Sequence, residues 1–214
     1  MIVGHLHRFI FIKTNKTAGT SLEIALSEIC GENDIVTQIS PEDELIRKSL
    51  GFCTAQNYIF PEKKILFRAH TKAIEIKEFL GDEIWNSYYK FCFERNPWDK
   101  VISHYYWRGG DERFSSIGGY IKAGELAKIK AFNHYSDKGE IIVDKVFSFE
   151  NLENALNEIS TILNLLNGLK MPEYQAKSGF RKDFRTCNEI FKKEEADYVS
   201  KVFKREIDLM NYKL

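Results

Sequence analysis

The apolar positions of the chain follow two rhythms. Compact apolar runs occur at residues 8–12, 64–68, 89–94 and 140–149, and each has the length and composition of a β-strand, the last of one strand or two. Between them the apolar positions spread to helical spacing. Leu22, Ala25, Leu26 and Ile29 mark one helix that Gly31 stops, and a shorter one follows residue 68 and ends at Leu80 and Gly81. The stretch RNPWDKVISHYYW (95–107) predicts a third. Asn96 can cap it, Pro97 suits its first position, Asp99 suits the positive end of its dipole, and Gly109 and Gly110 end it. Asn151 opens a fourth that runs through Leu166, with Leu152, Leu156, Ile159, Leu163 and Leu166 on one face. Residues 193–210 form a last amphipathic helix. This alternation predicts an α/β protein whose sheet is parallel and covered by helices on both faces. Ligands of such sheets bind beyond the carboxyl ends of the strands, where helix N-termini point.

Composition narrows the picture by exclusion. The 214 residues hold no repeat, low-complexity tract or Pro-rich linker, which predicts one domain over residues 1–214. Thirty-one basic residues balance 31 acidic ones, so no global polycation exists for nucleic acid or an anionic membrane, and any anion site must be local. Cys30, Cys53, Cys92 and Cys187 lie far apart, in no metal-binding spacing, and fit reduced, mostly buried thiols. No apolar run is long enough to span a bilayer, and the N-terminal one is too short for a signal peptide. The expectation is a cytoplasmic protein without a membrane anchor or a metal site.

Two strand-to-helix turns carry the candidate chemistry. In KTNKTAGTSLE (13–23), the backbone N–H groups from Thr17 to Ser21 open a helix and make a cradle for an anion. Gly19 allows close approach, Thr17, Thr20 and Ser21 add hydroxyls, and Lys16 adds a full charge at the crown. The same segment also reads as an ordinary turn with exposed lysines and a threonine cap. It is not a nucleotide-hydrolase P-loop, because Lys16 precedes the only glycine and no first glycine exists. At the second turn, Arg95 and Ser103 can hold another phosphate if Arg95 folds back along its helix. The alternative is an ion pair of Arg95 with Glu94 or Asp99.

In this order, KTNKTAGTSLE and YKFCFERNPWDKVISHYYW resemble the sulfotransferase superfamily, in particular its carbohydrate sulfotransferase branch. FENLENAL (149–156) resembles a further segment of that family, and the likeness is weakest over residues 30–60 and 110–140. The resemblance implies a P-loop-like three-layer α/β fold, with a central parallel sheet flanked by helices. It implies 3′-phosphoadenosine 5′-phosphosulfate as the donor. Lys16, Thr17, Ala18, Gly19, Thr20 and Ser21 match the motif that cradles the 5′-phosphosulfate, and Arg95 and Ser103 match the one that binds the 3′-phosphate. Asn15 stands where the family has proline, and Lys13 and Thr14 replace a more usual His-Ile pair. Without an anchor, the chain is closer to a free-standing bacterial or viral enzyme than to a Golgi one.

Sulfuryl transfer needs positioning and charge neutralisation more than covalent chemistry, so Lys16 and helix amides can act on the departing phosphate without a metal. The acceptor, a hydroxyl on a glycan or small molecule, needs a base. His70 closes ILFRAH, in a context like that of the family's catalytic histidine with Ala69 in place of glycine, and imidazole titrates near neutrality. His70 can equally cap the helix that follows. His104 reads as packing and Glu23 as a fallback base. In the basic segment KSGFRKDFR (177–185), Arg181 and Lys182 are candidates to close over the 3′-phosphate and adenine, or else are solvated charge. The aromatic residues, with Tyr105, Tyr106 and Trp107 in a row, read mostly as core, and one or more of the rings can instead stack on adenine or a sugar face. The rival functions are a small-molecule or nucleotide kinase on a related fold and a non-catalytic nucleotide-binding protein.

Overall fold

A computed structural model describes residues 1–173, 181, 183 and 185–214. In chain order its strands and helices are β1 (Ile2–Gly4), β2 (Phe9–Ile12), α1 (Gly19–Ser27), β3 (Ile35–Val36), α2 (Pro41–Ser49), β4 (Ile59–Phe60) and β5 (Ile65–Leu66). There follow α3 (Ala73–Leu80), α4 (Asp82–Ser87), β6 (Tyr89–Glu94), α5 (Pro97–Trp107), α6 (Gly110–Phe114) and α7 (Ile117–Lys122). The chain continues with β7 (Ser136–Asp137), β8 (Glu140–Ile141), β9 (Lys145–Ser148) and α8 (Leu152–Ile162), then α9 (Cys187–Ile190), α10 (Lys193–Val202) and α11 (Lys204–Met210).

The central sheet has five strands in the order β3-β1-β2-β6-β9. Its alternation of faces follows the period of two that a strand imposes. Phe9, Phe11, Phe91, Phe93 and Phe147 enter one core with Leu22, Leu26, Leu156 and Ile159. Ile10, Ile12 and Cys92 enter the core on the opposite face with Ala73, Ile76, Trp85 and Tyr135. A third core joins α5, α7 and α10 through Val101, Ile102, Tyr105, Tyr120, Val199 and Phe203.

The expected P-loop-like fold with a central parallel sheet is not what the chain forms. Only β2, β6 and β9 run parallel, while β1 is antiparallel to both β2 and β3, so the sheet is mixed. The cause is local. Residues 5–8 turn the chain back at once, with Arg8 in the left-handed region (φ 53°), and strands joined by so short a turn can pair only antiparallel. The strand expected at residues 64–68 is also absent from this sheet. Its β5 pairs with β4 in a separate hairpin, Leu66 is exposed, and of its apolar residues only Phe67 is buried. A strand in the middle of a parallel sheet would bury both faces.

Other boundaries moved for equally local reasons. The fourth helix ends at Ile162 rather than Leu166, because Asn164 turns left-handed (φ 53°) and Leu166 projects fully into solvent. The last helix is two, α10 and α11, broken at Phe203. The run at 140–149 resolves into β8 and β9. Around α5 the expectation held: Asn96 Oδ1 accepts from Trp98 N at 3.1 Å and Asp99 N at 3.4 Å, with Pro97 at the first position. Among the described residues, no helix is long and apolar enough to cross a membrane.

Candidate functional site

The two turns lie at the carboxyl ends of neighbouring parallel strands. β2 leads through residues 13–18 into α1, and β6 leads through Arg95 and Asn96 into α5. In the first turn the structure assigns the residues differently from their sequence reading. Gly19 opens space for a side chain rather than for a ligand: a Cβ there would stand 2.8 Å from Lys13 Cγ. Lys13 needs that space because it is buried, its Nζ donating to Thr20 Oγ1 at 3.1 Å and to the Glu23 carboxylate. The left-handed backbone falls on Lys16 (φ 63°) and Ala18 (φ 54°) instead of on glycine. Ala18 is the cap residue of α1 and supplies no side-chain acceptor to the first-turn amides.

The hydroxyls are mostly turned inward. Thr14 Oγ1 lies 3.0 Å from Thr17 Oγ1 and donates to the Phe93 carbonyl, stitching the first turn to β6. Thr17, Thr20 and Ser21 are all buried. Lys16 is half-buried at the crown, and its ammonium sits 5.0 Å from the centre of the Trp107 ring, a cation–π contact that aims it across α5. Glu23 is a poor proton acceptor. Burial alone would raise its pKa, but the Lys13 ammonium and the Met1 amino group, both hydrogen-bonded to it, together outweigh that and hold it at about 2.

The second turn contains the ion pair that the sequence offered as the alternative. Arg95 Nε donates to Asp99 Oδ2 at 2.7 Å, and Nη2 donates to the same oxygen. The third contact reaches the other turn, with Arg95 Nη1 donating to the Lys16 carbonyl at 3.1 Å. Phe149, the first residue of FENLENAL (149–156), packs its ring 4.4 Å beneath the guanidinium. Arg181 comes to the same carboxylate, its Nη1 donating to Asp99 Oδ1 at 2.6 Å. Ser103 lies half-buried on α5, four residues beyond Asp99 and so on the same face, with no hydrogen bond to Arg95. Lys182 lies outside the described residues. Below the turn, buried Lys100 pairs with buried Glu94, whose pKa burial raises despite that partner.

His70 reaches the first turn despite lying in a different hairpin's wake. Its Nδ1 is 3.0 Å from the Lys13 carbonyl. A carbonyl can only accept, so Nδ1 carries the proton and the lone pair of the neutral ring is left on Nε2. The packing around the ring, then the Lys13 ammonium, lowers its pKa to about 4, while the side of the residue open to solvent works against that shift. His70 does not cap α3, whose cap residue is Lys72. The His134 ring stands 6.1 Å away. His104 is packing, as expected: it is buried, meets the Tyr120 hydroxyl at 2.6 Å, and is lowered to about 4 by burial and then by Lys16.

Three contributors were not legible as site residues. Trp107 read as core but is exposed beside Lys16, Phe149 read as part of a strand, and Asp99 read only as a helix-dipole charge. Asp99 left the one usable signal, its spacing of four from both Arg95 and Ser103.

Fold and site together define an α/β protein in which two strand-to-helix turns meet at one sheet end. A 95-residue stretch of the chain is 33% identical to an uncharacterized protein of Archaeoglobus fulgidus, covering 42% of this chain and 79% of the archaeal one. The chain belongs to the same family as that archaeal protein. No family model and no solved structure matches it.

Proposed function

We propose that the protein is a sulfotransferase that moves a sulfuryl group from 3′-phosphoadenosine 5′-phosphosulfate to an acceptor hydroxyl on a carbohydrate or small molecule. The observation that carries this reading is the 3.1 Å hydrogen bond from Arg95 to the Lys16 carbonyl. It brings into contact the two segments that resemble the donor-binding motifs, although 79 positions separate them. Two neighbouring cationic turns suit one nucleotide carrying a phosphate at each end.

In this reading the acceptor oxygen forms its bond to sulfur as the bond from sulfur to the bridging phosphate oxygen breaks. Lys16 neutralises charge on the departing phosphate. The acceptor proton passes to Nε2 of His70, the ring nitrogen left with a lone pair. Arg95 and Arg181 hold the 3′-phosphate, which does not react, and Lys182 keeps only the role its sequence position implies.

Calorimetric titration with adenosine 3′,5′-bisphosphate in the absence of magnesium tests the donor assignment. Binding that ATP does not compete away supports it. Competition by magnesium-ATP would instead favour a kinase, and bisphosphate binding without turnover on any hydroxyl acceptor would leave a non-catalytic binding protein.

A further inference from the structure

Asp99 joins the two arginines that the mechanism above sets around the 3′-phosphate. Its Oδ2 receives Arg95 Nε at 2.7 Å together with Nη2, and its Oδ1 receives Arg181 Nη1 at 2.6 Å. Both guanidiniums are fixed on further sides. Arg95 is held by the Lys16 carbonyl and the Phe149 ring, and Arg181 by the carbonyls of Asp183 at 2.6 Å and Arg185 at 2.9 Å. Arginine carries five N–H donors, and among the described residues the contacts named use three on each, leaving two on each outside them. A single carboxylate thus sets two planar forks side by side with donors to spare.

We propose that Asp99 is a positioning residue that yokes Arg95 and Arg181 into one receptor for a phosphate-monoester dianion, and so holds Arg181 against the second turn. This rests on the donor assignment above, because the group received is the 3′-phosphate. Bidentate recognition needs guanidiniums held in plane and at fixed separation, which two free arginines on different segments do not provide. The opposite role uses the same contacts: a carboxylate that merely occupies the anion site until a phosphate displaces it. The two roles differ in sign, since removing a yoke weakens binding and removing a competitor tightens it.

The test compares adenosine 3′,5′-bisphosphate with adenosine 5′-phosphate, which lacks the group in question, by calorimetry on the full chain. Asp99→Asn keeps only one accepting oxygen. It should weaken bisphosphate binding by about tenfold or more, the equivalent of one charged hydrogen bond. Affinity for the monophosphate should stay within about twofold, as expected of a site that does not share the contact. Arg181→Gln removes a phosphate donor as well as the bridge and should weaken bisphosphate binding at least as much, and the double variant should lose less than the two single losses combined, because the two changes share one bridge. Tighter bisphosphate binding in Asp99→Asn would make Asp99 a competitor and overturn the proposal. Equal losses for both nucleotides, with a lower Tm, would make it a general support of the fold and also overturn it. If the unaltered protein binds neither nucleotide, the donor assignment fails and this proposal with it. If it binds the bisphosphate and ignores the Asp99 change, this proposal fails alone.

Discussion

Lys16 and His70 approach the same turn with opposite requirements. For the proposed transfer Lys16 must be charged, and its ammonium lies over the Trp107 ring, a contact that favours the cation. Replacing it with alanine should leave the fold intact and cut turnover by about a hundredfold or more, the usual cost of removing one donor to developing charge. Turnover within a few-fold of normal would end the mechanism. His70 must be neutral, and packing together with Lys13 lowers its pKa to about 4. The rate should therefore stay level from pH 7 down to roughly 5 and fall only as His70 protonates near its lowered pKa. A limb at the ordinary imidazole value of about 6.5 would mean that solvent on the open side undoes the shift, or that another group is the base. His70→Ala should remove turnover while leaving bisphosphate affinity nearly unchanged.

At the level of elements, β6 and α5 are joined by a buried ion pair whose members are both fully enclosed, Glu94 at the end of the strand and Lys100 in the helix. The pair lies under Arg95, whose backbone N–H donates to Glu94 Oε2 at 3.3 Å. Lys100→Met should cost about 3–5 kcal/mol, because it leaves a buried carboxylate without its cation. The loss should shrink in acid, since burial already raises the pKa of Glu94 and protonation removes the stranded charge. Adding Glu94→Leu should recover most of the stability, as apolar replacements of whole buried pairs often do. Urea unfolding of the parent and both variants at two pH values measures this, and a single variant as stable as the parent would contradict the pairing.

These elements also show where sequence stops being sufficient. The α5 cap, the motif turns and the strand at 89–94 were legible because each is set by residues adjacent in the chain. The sheet's mixed direction was not. It follows from the short turn at residues 5–8, which pairs β1 antiparallel with β2, while the displacement of residues 64–68 to a hairpin with β4 depends on tertiary contacts. In the site, the chemical types were readable while the partners were not. Thr20 and Gly19 looked like ligand groups, yet both serve Lys13. Arg95 looked like a choice between phosphate and ion pair, and it lies against Asp99 and the Lys16 carbonyl at once.

For the molecule as a whole, the buried ionisable groups define how it responds to acid. His104 is held near pKa 4 and His134 is lowered too, both chiefly by burial, so the native state keeps these rings neutral. In the unfolded chain they protonate near 6.5. Between about pH 6.5 and 4 the unfolded state therefore binds more protons, and stability falls as pH falls. A second loss follows below about 4.5. Glu23 is held near 2 in the fold, so its contribution is present above the unfolded carboxylate value and is lost as pH drops toward 2. The urea midpoint should decline from pH 7 to 5 and decline again below 4.5. A midpoint flat from 7 to 5 would show that the histidines are not held neutral.

The contact between Arg95 and the Lys16 carbonyl also sets when the site comes into being. Its partners are 79 positions apart, and the β2–β6 pairing beneath it joins Phe9 to Tyr89 and Ile12 to Cys92. The β1–β2 hairpin closes over residues 5–8 and can form early, but the parallel pairing must first overcome the entropy of closing a long loop. Each turn can acquire its local shape beforehand without its neighbour. The two turns of the proposed anion site should therefore come together late in folding, with the ladder between β2 and β6.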